Sequence, residues 1–519
     1  MDLWSAISSG SVEHVRYVIE VDKADVNTTV IMSSHGITSE PVNTPLTLAV
    51  QLGQLDIIQL LLDNGANVNQ ANSEGLTPLM MAATGFRTHS HKPNENVFRL
   101  ILEQVGQPIS RQDRIDAFEL IGSTYFKNST TNSGFNYERG LFYWREAMAL
   151  RYDVTPVIPK SATGWSECAR KAFASSQEVQ TLQELENLSL FYDNDSFKVQ
   201  ALMTSYRILG PSNCWTWLLL SSYASFCWKL NNRQRFIDYN MLVLECSLSV
   251  KDPLVYESIH TIRHLTLAFY FLVMDESGLP SDRQLVSFRN VMAVLSSTFQ
   301  PLKMKSPYRN ELLDCVLQLT ILIVSMDLTP EQNFEFKSFL YKLVHLEGSY
   351  DYTNGRNLLL MACSSSSLSF RRAFRTRVAL SLGFLYCGKL PSAEVVRVLL
   401  EVGADPDSTD NMGNTGLHLL IKSGENGSSP AVRALFENGT HVDQTNKNGE
   451  TMTDLLYYKD NTVPRICENE ENKIFVNPLQ FPALKCLCAR AVRRYGSVRD
   501  DARHQGLVPS ELFDFIFLH

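Results

Sequence analysis

The chain has 519 residues, 44% hydrophobic and 20% charged, with a formal net charge of −8. That composition is ordinary for a soluble globular protein and excludes a disordered chain, and the acidic balance argues against the broad basic field that nucleic acid requires. The length sets a prior of roughly three or four domains.

Ten cysteines include no Cys-x-x-Cys pair, and Met1-Asp-Leu-Trp4 lacks the basic start and long apolar core of a secretory signal. Free thiols in the cytosol or nucleus are the expectation. The most apolar runs, Trp215 to Trp228, Leu265 to Met274 and Val316 to Met326, all fall short of the ~18 residues that suggest a membrane span and are read as buried helices.

In chain order, the first signal is internal repetition. Asn43-Thr-Pro-Leu-Thr-Leu-Ala-Val50 recurs as Leu76-Thr-Pro-Leu-Met-Met-Ala-Ala83, and Thr44 to Thr77 is the 33-residue ankyrin period. Thr-Pro opens a short helix, because Pro45 sits where its missing N–H has no intrahelical partner. Gly53 makes the turn. Ile57, Ile58, Leu61 and Leu62 give a second helix its buried face, and Gly65 ends it. A degenerate copy precedes this one: Leu3 to Gly10, Val12 to Ile19, then Ala24-Asp-Val-Asn27. A third copy runs from Leu76 to about Val105, with Thr88 to Pro93 inserted. His89 and His91 in that insertion have no second ligand pair nearby and are read as a solvated loop.

The middle of the chain changes period. Arg114 to Gly122, Tyr137 to Leu150, Phe197 to Leu209, Trp215 to Leu230, Arg235 to Leu248 and Tyr256 to Met274 read as amphipathic helices, several paired across short polar turns. They resemble tetratricopeptide hairpins. Trp215, Trp217, Tyr223, Phe226 and Trp228 are expected to be core, and His260 and His264, without the glutamate of an HExxH motif, to be structural. Ankyrin repeats then return. Gly403-Ala-Asp-Pro-Asp407 recurs as Gly439-Thr-His-Val-Asp443, and Asn414 to Leu420 recurs as Glu450 to Leu456, with Asn354 to Ala362 opening the array.

The last forty residues form two short apolar helices joined by a charged linker. Leu484, Cys488 and Val492 fall at i, i+4 and i+8 on one face, and the second helix opens with Val508-Pro509 and carries Leu512 and Phe515. A terminus this apolar must dock on its own chain or on a partner. No phosphate-binding glycine loop, GxSxG motif or cysteine beside a fitting histidine is present. Cys488, on an apolar face, packs as a small hydrophobe. The expected protein is non-catalytic, with no cofactor and no metal.

The order of these pieces resembles the Fem family, the feminization-protein homologues that serve as substrate receptors of cullin-RING ubiquitin ligases. Arg114-Ile-Asp-Ala-Phe-Glu-Leu-Ile-Gly122 looks like the family's junction from ankyrin array to helical region. Residues 403–456 look like its late ankyrin pair, and Leu484 to Val492 with Leu507 to Phe515 look like its terminal VHL-type box. The resemblance implies an all-α chain in five parts: 1–110 ankyrin repeats, 111–350 a TPR-like helical region, 351–460 a second ankyrin array, 461–479 a linker, and 480–519 the box. It also implies that Leu484, Cys488 and Val492 bind elongin C, and that Val508, Pro509, Leu512 and Phe515 contact a cullin of the cullin-two class carrying a RING protein. A leucine knob filling a pocket contributes ~1.5–3 kcal/mol and acts as a hot spot. Targets would be held through C-terminal degrons and passed on for ubiquitination, without nucleic acid or membrane. The N-terminal array is shorter than is usual in the family. Its Gln51-Leu52-Gly53 carries no carboxylate to pair an arginine, so the family's arginine-degron pocket is not carried over. Trp4 is the one substrate-binding candidate there, lining the concave surface or capping the end repeat. The alternative reading is an ankyrin interaction scaffold that keeps the terminal helices as its own packing.

Overall fold

The computed structural model of the protein describes residues 2–29, 43–85, 93–104, 108–127, 134–160, 164–174, 176–190, 194–249, 256–274, 285–304, 306–346, 349–365, 390–425 and 429–455. Among these residues the structure is helical with no strand, apart from an isolated antiparallel bridge between Tyr350 and Asn357. No helix among them is long and apolar enough to cross a membrane. The chain divides into two compact units, residues 1–261 and 262–519.

The first unit begins with three helix pairs: α1 (Leu3–Ser9) with α2 (Val12–Glu20), α3 (Pro45–Leu52) with α4 (Leu55–Asp63), and α5 (Pro78–Thr84) with α6 (Glu95–Leu102). The Thr-Pro signals work as the sequence suggests. Thr44 accepts the N–H of Thr47 at 3.1 Å and Thr77 that of Met80 at 3.3 Å, each followed by a proline in the first turn. The first helices stack α1 on α3 on α5, and the second helices α2 on α4 on α6. Each pair thereby covers the apolar face that its neighbour cannot bury alone.

The stack does not stop at the third pair. α7 (Arg111–Lys127) lies against α5 as α5 lies against α3, and α8 (Gly134–Tyr152) pairs with α7. After α9 (Glu167–Ala172) and α10 (Leu182–Leu190), α11 (Asn194–Leu209) packs on α7. α12 (Cys214–Lys229) and α13 (Arg233–Leu248) form a hairpin beside it. Helices α7, α8, α11, α12 and α13 overlap the amphipathic segments read from the sequence, whereas α9 and α10 fall where no segment was read. Helix α14 (Tyr256–Met274) spans the division between the units.

Aromatic rings fill the α7/α8/α11 junction. Phe126 lies 4.6 Å from Trp144 and 4.8 Å from Phe197, and Tyr137 lies 5.1 Å from Phe197, centroid to centroid. Two glycines admit them reciprocally. A Cβ on Gly122 would sit 2.4 Å from the Trp144 ring, and one on Gly140 would sit 2.5 Å from Phe126.

In the second unit, α15 (Phe288–Ser297), α16 (Phe299–Lys303), α17 (Arg309–Val324) and α18 (Pro330–Val344) precede the late array. That array contains α19 (Leu358–Ala362), α20 (Ala393–Glu401), α21 (Gly416–Ser423) and α22 (Pro430–Glu437). α17 is buried on nearly every side and touches α15, α16, α19 and α20. The array's hairpin fingers share one device. The side-chain oxygen of Asp351 accepts the N–H groups of Asn354 and Gly355. Asp410 accepts those of Met412 and Asn414, and Asn446 those of Asn448 and Glu450. Adjacent fingers are laddered by Asn411 N–H to Asn354 C=O at 2.7 Å and Lys447 N–H to Met412 C=O at 2.9 Å.

The close α7/α8 approach gives a direct test. Gly122→Ala gains about 1 kcal/mol of helix propensity, but its methyl must displace the Trp144 ring and meets the Gly140 carbonyl oxygen at 2.9 Å. Overpacking of this kind costs about 1–3 kcal/mol. The variant is expected to be net destabilised, read as an earlier urea midpoint.

Candidate functional site

The third repeat of the N-terminal array presents its finger to α12. Asn72 builds the third repeat's finger: its Oδ1 accepts the N–H groups of Glu74 and Leu76, each at 3.0 Å, and Gly75 supplies the left-handed turn at φ +77°. Asn72 Nδ2 donates to Asn43 Oδ1 at 3.4 Å, tying this finger to the one before. The fingertip residue Glu74 is then held from far along the chain. Asn213 Nδ2 donates to its carbonyl oxygen at 3.1 Å, and Cys214 Sγ donates to its carboxylate at 3.0 Å. Asn213 caps α12, so the Glu74 carboxylate rests at a helix N-terminus, where negative charge is favoured. Trp4, the sequence's substrate-binding candidate, is 9% exposed and is one of the buried residues of α1, with Leu3, Ala6 and Ile7. Gln51 and Leu52 close α3, and Gly53 is its left-handed cap.

Behind the array lies a buried ionic cluster that hydrophobic periodicity gave no reason to expect. Glu119 sits in the junction motif on α7. Arg151 on α8 grips its carboxylate with two hydrogen bonds of 3.1 Å, and Arg207 on α11 donates a third. Lys160 Nζ stands 3.5 Å from Glu119 and 3.0 Å from Glu178. Arg207 also takes Glu178 in a fork of 2.9 and 3.0 Å, and Thr204 adds a hydroxyl at 3.0 Å. The five charged side chains are 2–7% exposed. Arg151 reaches further, donating to the carbonyls of Ile158 and Pro159 at 3.2 Å. The cluster therefore pins the irregular segments before and after α9 to three helices. A cavity beside it, lined by Glu119, Lys160, Gln200 and Thr204 among others, has room for no more than one water.

The electrostatics follow from this geometry. Burial opposes ionisation of Glu119, but Lys160, Arg207 and Arg151 outweigh it and hold the carboxyl down to about 2. Glu178 is likewise lowered, with Arg207 and Lys160 overcoming its burial. Asp116, one turn before Glu119, is raised by burial and by the Glu119 charge. Arg207 stays 3.9 Å from it.

The other candidates fall as follows. Trp215, Trp217, Tyr223 and Trp228 are core residues. His264 is buried, and among the described residues no group of side chains could hold a metal. No disulfide joins the described cysteines, and burial pushes Cys315 and Cys363 up to about 12, away from nucleophilic use. Leu484, Cys488, Val492, Val508, Pro509, Leu512 and Phe515 lie outside the described residues.

Residues 3–113 match the family model for ankyrin repeats, in three copies. Across nearly the whole chain the protein resembles the Fem family. It is 26% identical to fem-1 homolog A of Bos taurus and 28% identical to fem-1 homolog A-like of Mus musculus, in each case over 92% of this chain and 72% of the relative. Against fem-1 homolog C of Mus musculus it is 26% identical over 89% of this chain and 68% of the relative. Ankyrin repeats within such a chain fit a repeat-based protein-interaction role.

Two outcomes follow from the ionic cluster. Glu119→Gln leaves Arg151 with no carboxylate in contact and Arg207 and Lys160 sharing Glu178, a change of the kind that costs about 3–5 kcal/mol. A large drop in melting temperature is expected, while Asp116→Asn is expected to be neutral or slightly stabilising. The pH dependence has a definite sign. Because Glu119 is depressed from its ordinary 4.5 to about 2, its contribution is complete above 4.5 and is lost as pH falls toward 2. Asp116, shifted upward from 3.8, partly offsets this by becoming easier to bury once protonated. Acid melts of wild type should steepen through that window, and those of Glu119→Gln should be flatter there.

Proposed function

We propose that the chain is the substrate-recognition subunit of a cullin-RING ubiquitin ligase of the cullin-two type. The observation that carries this reading is the extent of the similarity: it runs over 92% of the chain, far beyond the ankyrin repeats. It is supported by Leu484, Cys488 and Val492 at four-residue spacing, followed by Val508-Pro509. In this role Leu484, Cys488 and Val492 insert into elongin C, which brings elongin B. Val508, Pro509, Leu512 and Phe515 meet the cullin, and the cullin's RING protein recruits the ubiquitin-carrying enzyme.

The ankyrin arrays and the helices between them hold the target protein, through its C-terminal segment, and lead it to degradation. This chain forms no covalent bond with either substrate or ubiquitin. Its task is to set distance and orientation, which suits a stack of helix pairs locked by buried ion pairs. The setting of this role is the cytosol or nucleus, where thiols stay reduced.

Affinity purification of the full chain with co-expressed elongin B/C and cullin is the test. Wild type is expected to retain all three. Leu484→Ala combined with Cys488→Phe is expected to lose elongin C, and the cullin with it, by at least about tenfold. Pro509→Ala should keep elongin C and weaken the cullin alone. Undiminished elongin binding by the double variant refutes the assignment.

A further inference from the structure

Helix α18 carries an apolar stripe that the fold does not use. Its inner face, Phe336, Leu340 and Leu343, is buried, and the helix packs on α15 and α20. On the opposite face Phe334 is 75% exposed and Tyr341 54%. They are seven residues apart, two turns, with the small half-buried Ser338 between them. The helix beneath them is firmly built: Thr329 and Gln332 form a reciprocal capping box at 3.3 and 3.1 Å, and Pro330 starts the first turn. The stripe is therefore a rigid, presented surface.

The charges beside the stripe say what covers it. Glu331 and Glu335 lie on one flank near the start of the helix, Lys342 lies on the same flank near its end, and His345 is exposed a turn further on, its ring 4.1 Å from Tyr341. On the other flank Lys337 is already paired with Glu401 at 2.8 Å. A two-fold axis through Ser338 turns this arrangement onto itself in antiparallel register. In an antiparallel pair each flank meets the same flank of its partner. Phe334 of one copy then faces Tyr341 of the other, Glu335 faces Lys342, and Glu331 faces His345. A parallel pair would bring each flank against the opposite one, where Lys337 is already committed to Glu401, so Lys342 would meet no carboxylate of the partner helix. The stripe is thus complementary to itself in one orientation only.

We infer that this face of α18 joins two copies of the chain as an antiparallel helix pair centred on Ser338. The inference is independent of the ligase reading, since it uses neither the terminal box nor a target. A single helix pair is a small interface, at the low end of the range for specific association, so the dimer is weak and concentration-dependent.

The experiment is sedimentation of the full chain over a wide concentration range, with three variants checked for unchanged circular dichroism. Wild type is expected to shift from monomer to dimer as concentration rises. Phe334→Glu, at a position too exposed to disturb the core, is expected to remain monomeric throughout. Glu335→Lys places like charges together twice by symmetry and should weaken the dimer at least about tenfold. Adding Lys342→Glu to it should restore most of the affinity. A photocrosslinking residue at position 334 should yield a band of twice the chain mass. A monomeric wild type, a Phe334→Glu protein that still dimerises, a double variant no better than Glu335→Lys, or crosslinks confined within one chain would each overturn the inference.

Discussion

The first unit hangs on one buried carboxylate. Glu119 sits on the helix that takes over from the ankyrin pairs, and the groups that neutralise it come from α8, from α11 and from the irregular segment at Lys160. Apolar burial holds helices together but is indifferent to small rotations. A carboxylate gripped by two guanidinium groups is not, because each hydrogen bond must be made or its charge is stranded. The aromatic packing around Phe126, Trp144 and Phe197 supplies the area. The Glu119 cluster supplies the register, reinforced by Trp144 Nε1, which donates to the Glu119 carbonyl oxygen at 3.0 Å. Since α7 is also the helix laid against α5, the same carboxylate fixes how the helical region leaves the repeats.

A second constraint recurs at smaller scale in the fingers. Asn72, Asp351, Asp410 and Asn446 each turn the chain by accepting backbone N–H groups. Gly75, Gly355, Gly413 and Gly449 follow with φ between +69° and +77°. The chemistry is one local solution used in both arrays, and it needs no partner from elsewhere. Long-range contacts are then added on top. Glu74 is claimed by α12, and Asn310 Nδ2 donates to Thr353 Oγ1 at 2.9 Å, tying the finger at 350–356 to the start of α17.

This difference between local and distant causes explains what the sequence disclosed. The Thr-Pro helix starts, the apolar faces of α4 and the amphipathic runs of α7, α8 and α11 to α14 are written within a few residues of one another, and they appear where expected. The repeated Asx-to-glycine spacing of the fingers was equally local and could have been read. The ionic cluster could not be. Glu119 and Arg207 are 88 residues apart, and a periodicity argument assigns each charged side chain to water. Only a charged residue flanked by apolar neighbours, as in Ala117-Phe-Glu-Leu-Ile121 and Tyr206-Arg-Ile-Leu209, hints at an inward orientation. Trp4 was ambiguous for the converse reason, since a large ring at an end repeat serves a surface or a core equally well until its neighbours are placed. The pattern at 484–515, proposed above as a docking box, is the most specific part of the family resemblance and lies outside the described residues.

The Glu119 cluster and helix α18 use charge in opposite ways. In the first, cations and carboxylates are removed from water and committed to one another, so a partner held on the fingers meets a frame that yields only by breaking buried ion pairs. Recognition there proceeds by docking onto a fixed surface. On α18 the same residue types stay in solvent, where single pairs are weak and screened by salt. Such charges add little affinity but select orientation, because a like-charge register is penalised as readily as an opposite-charge one is favoured. The exposed pair Phe334 and Tyr341 provides the attraction, and Glu335 with Lys342 decides which way round it can be used. In the receptor role and the dimer proposed above, such a chain would keep its reading surface rigid while its self-association answered to ionic strength and concentration.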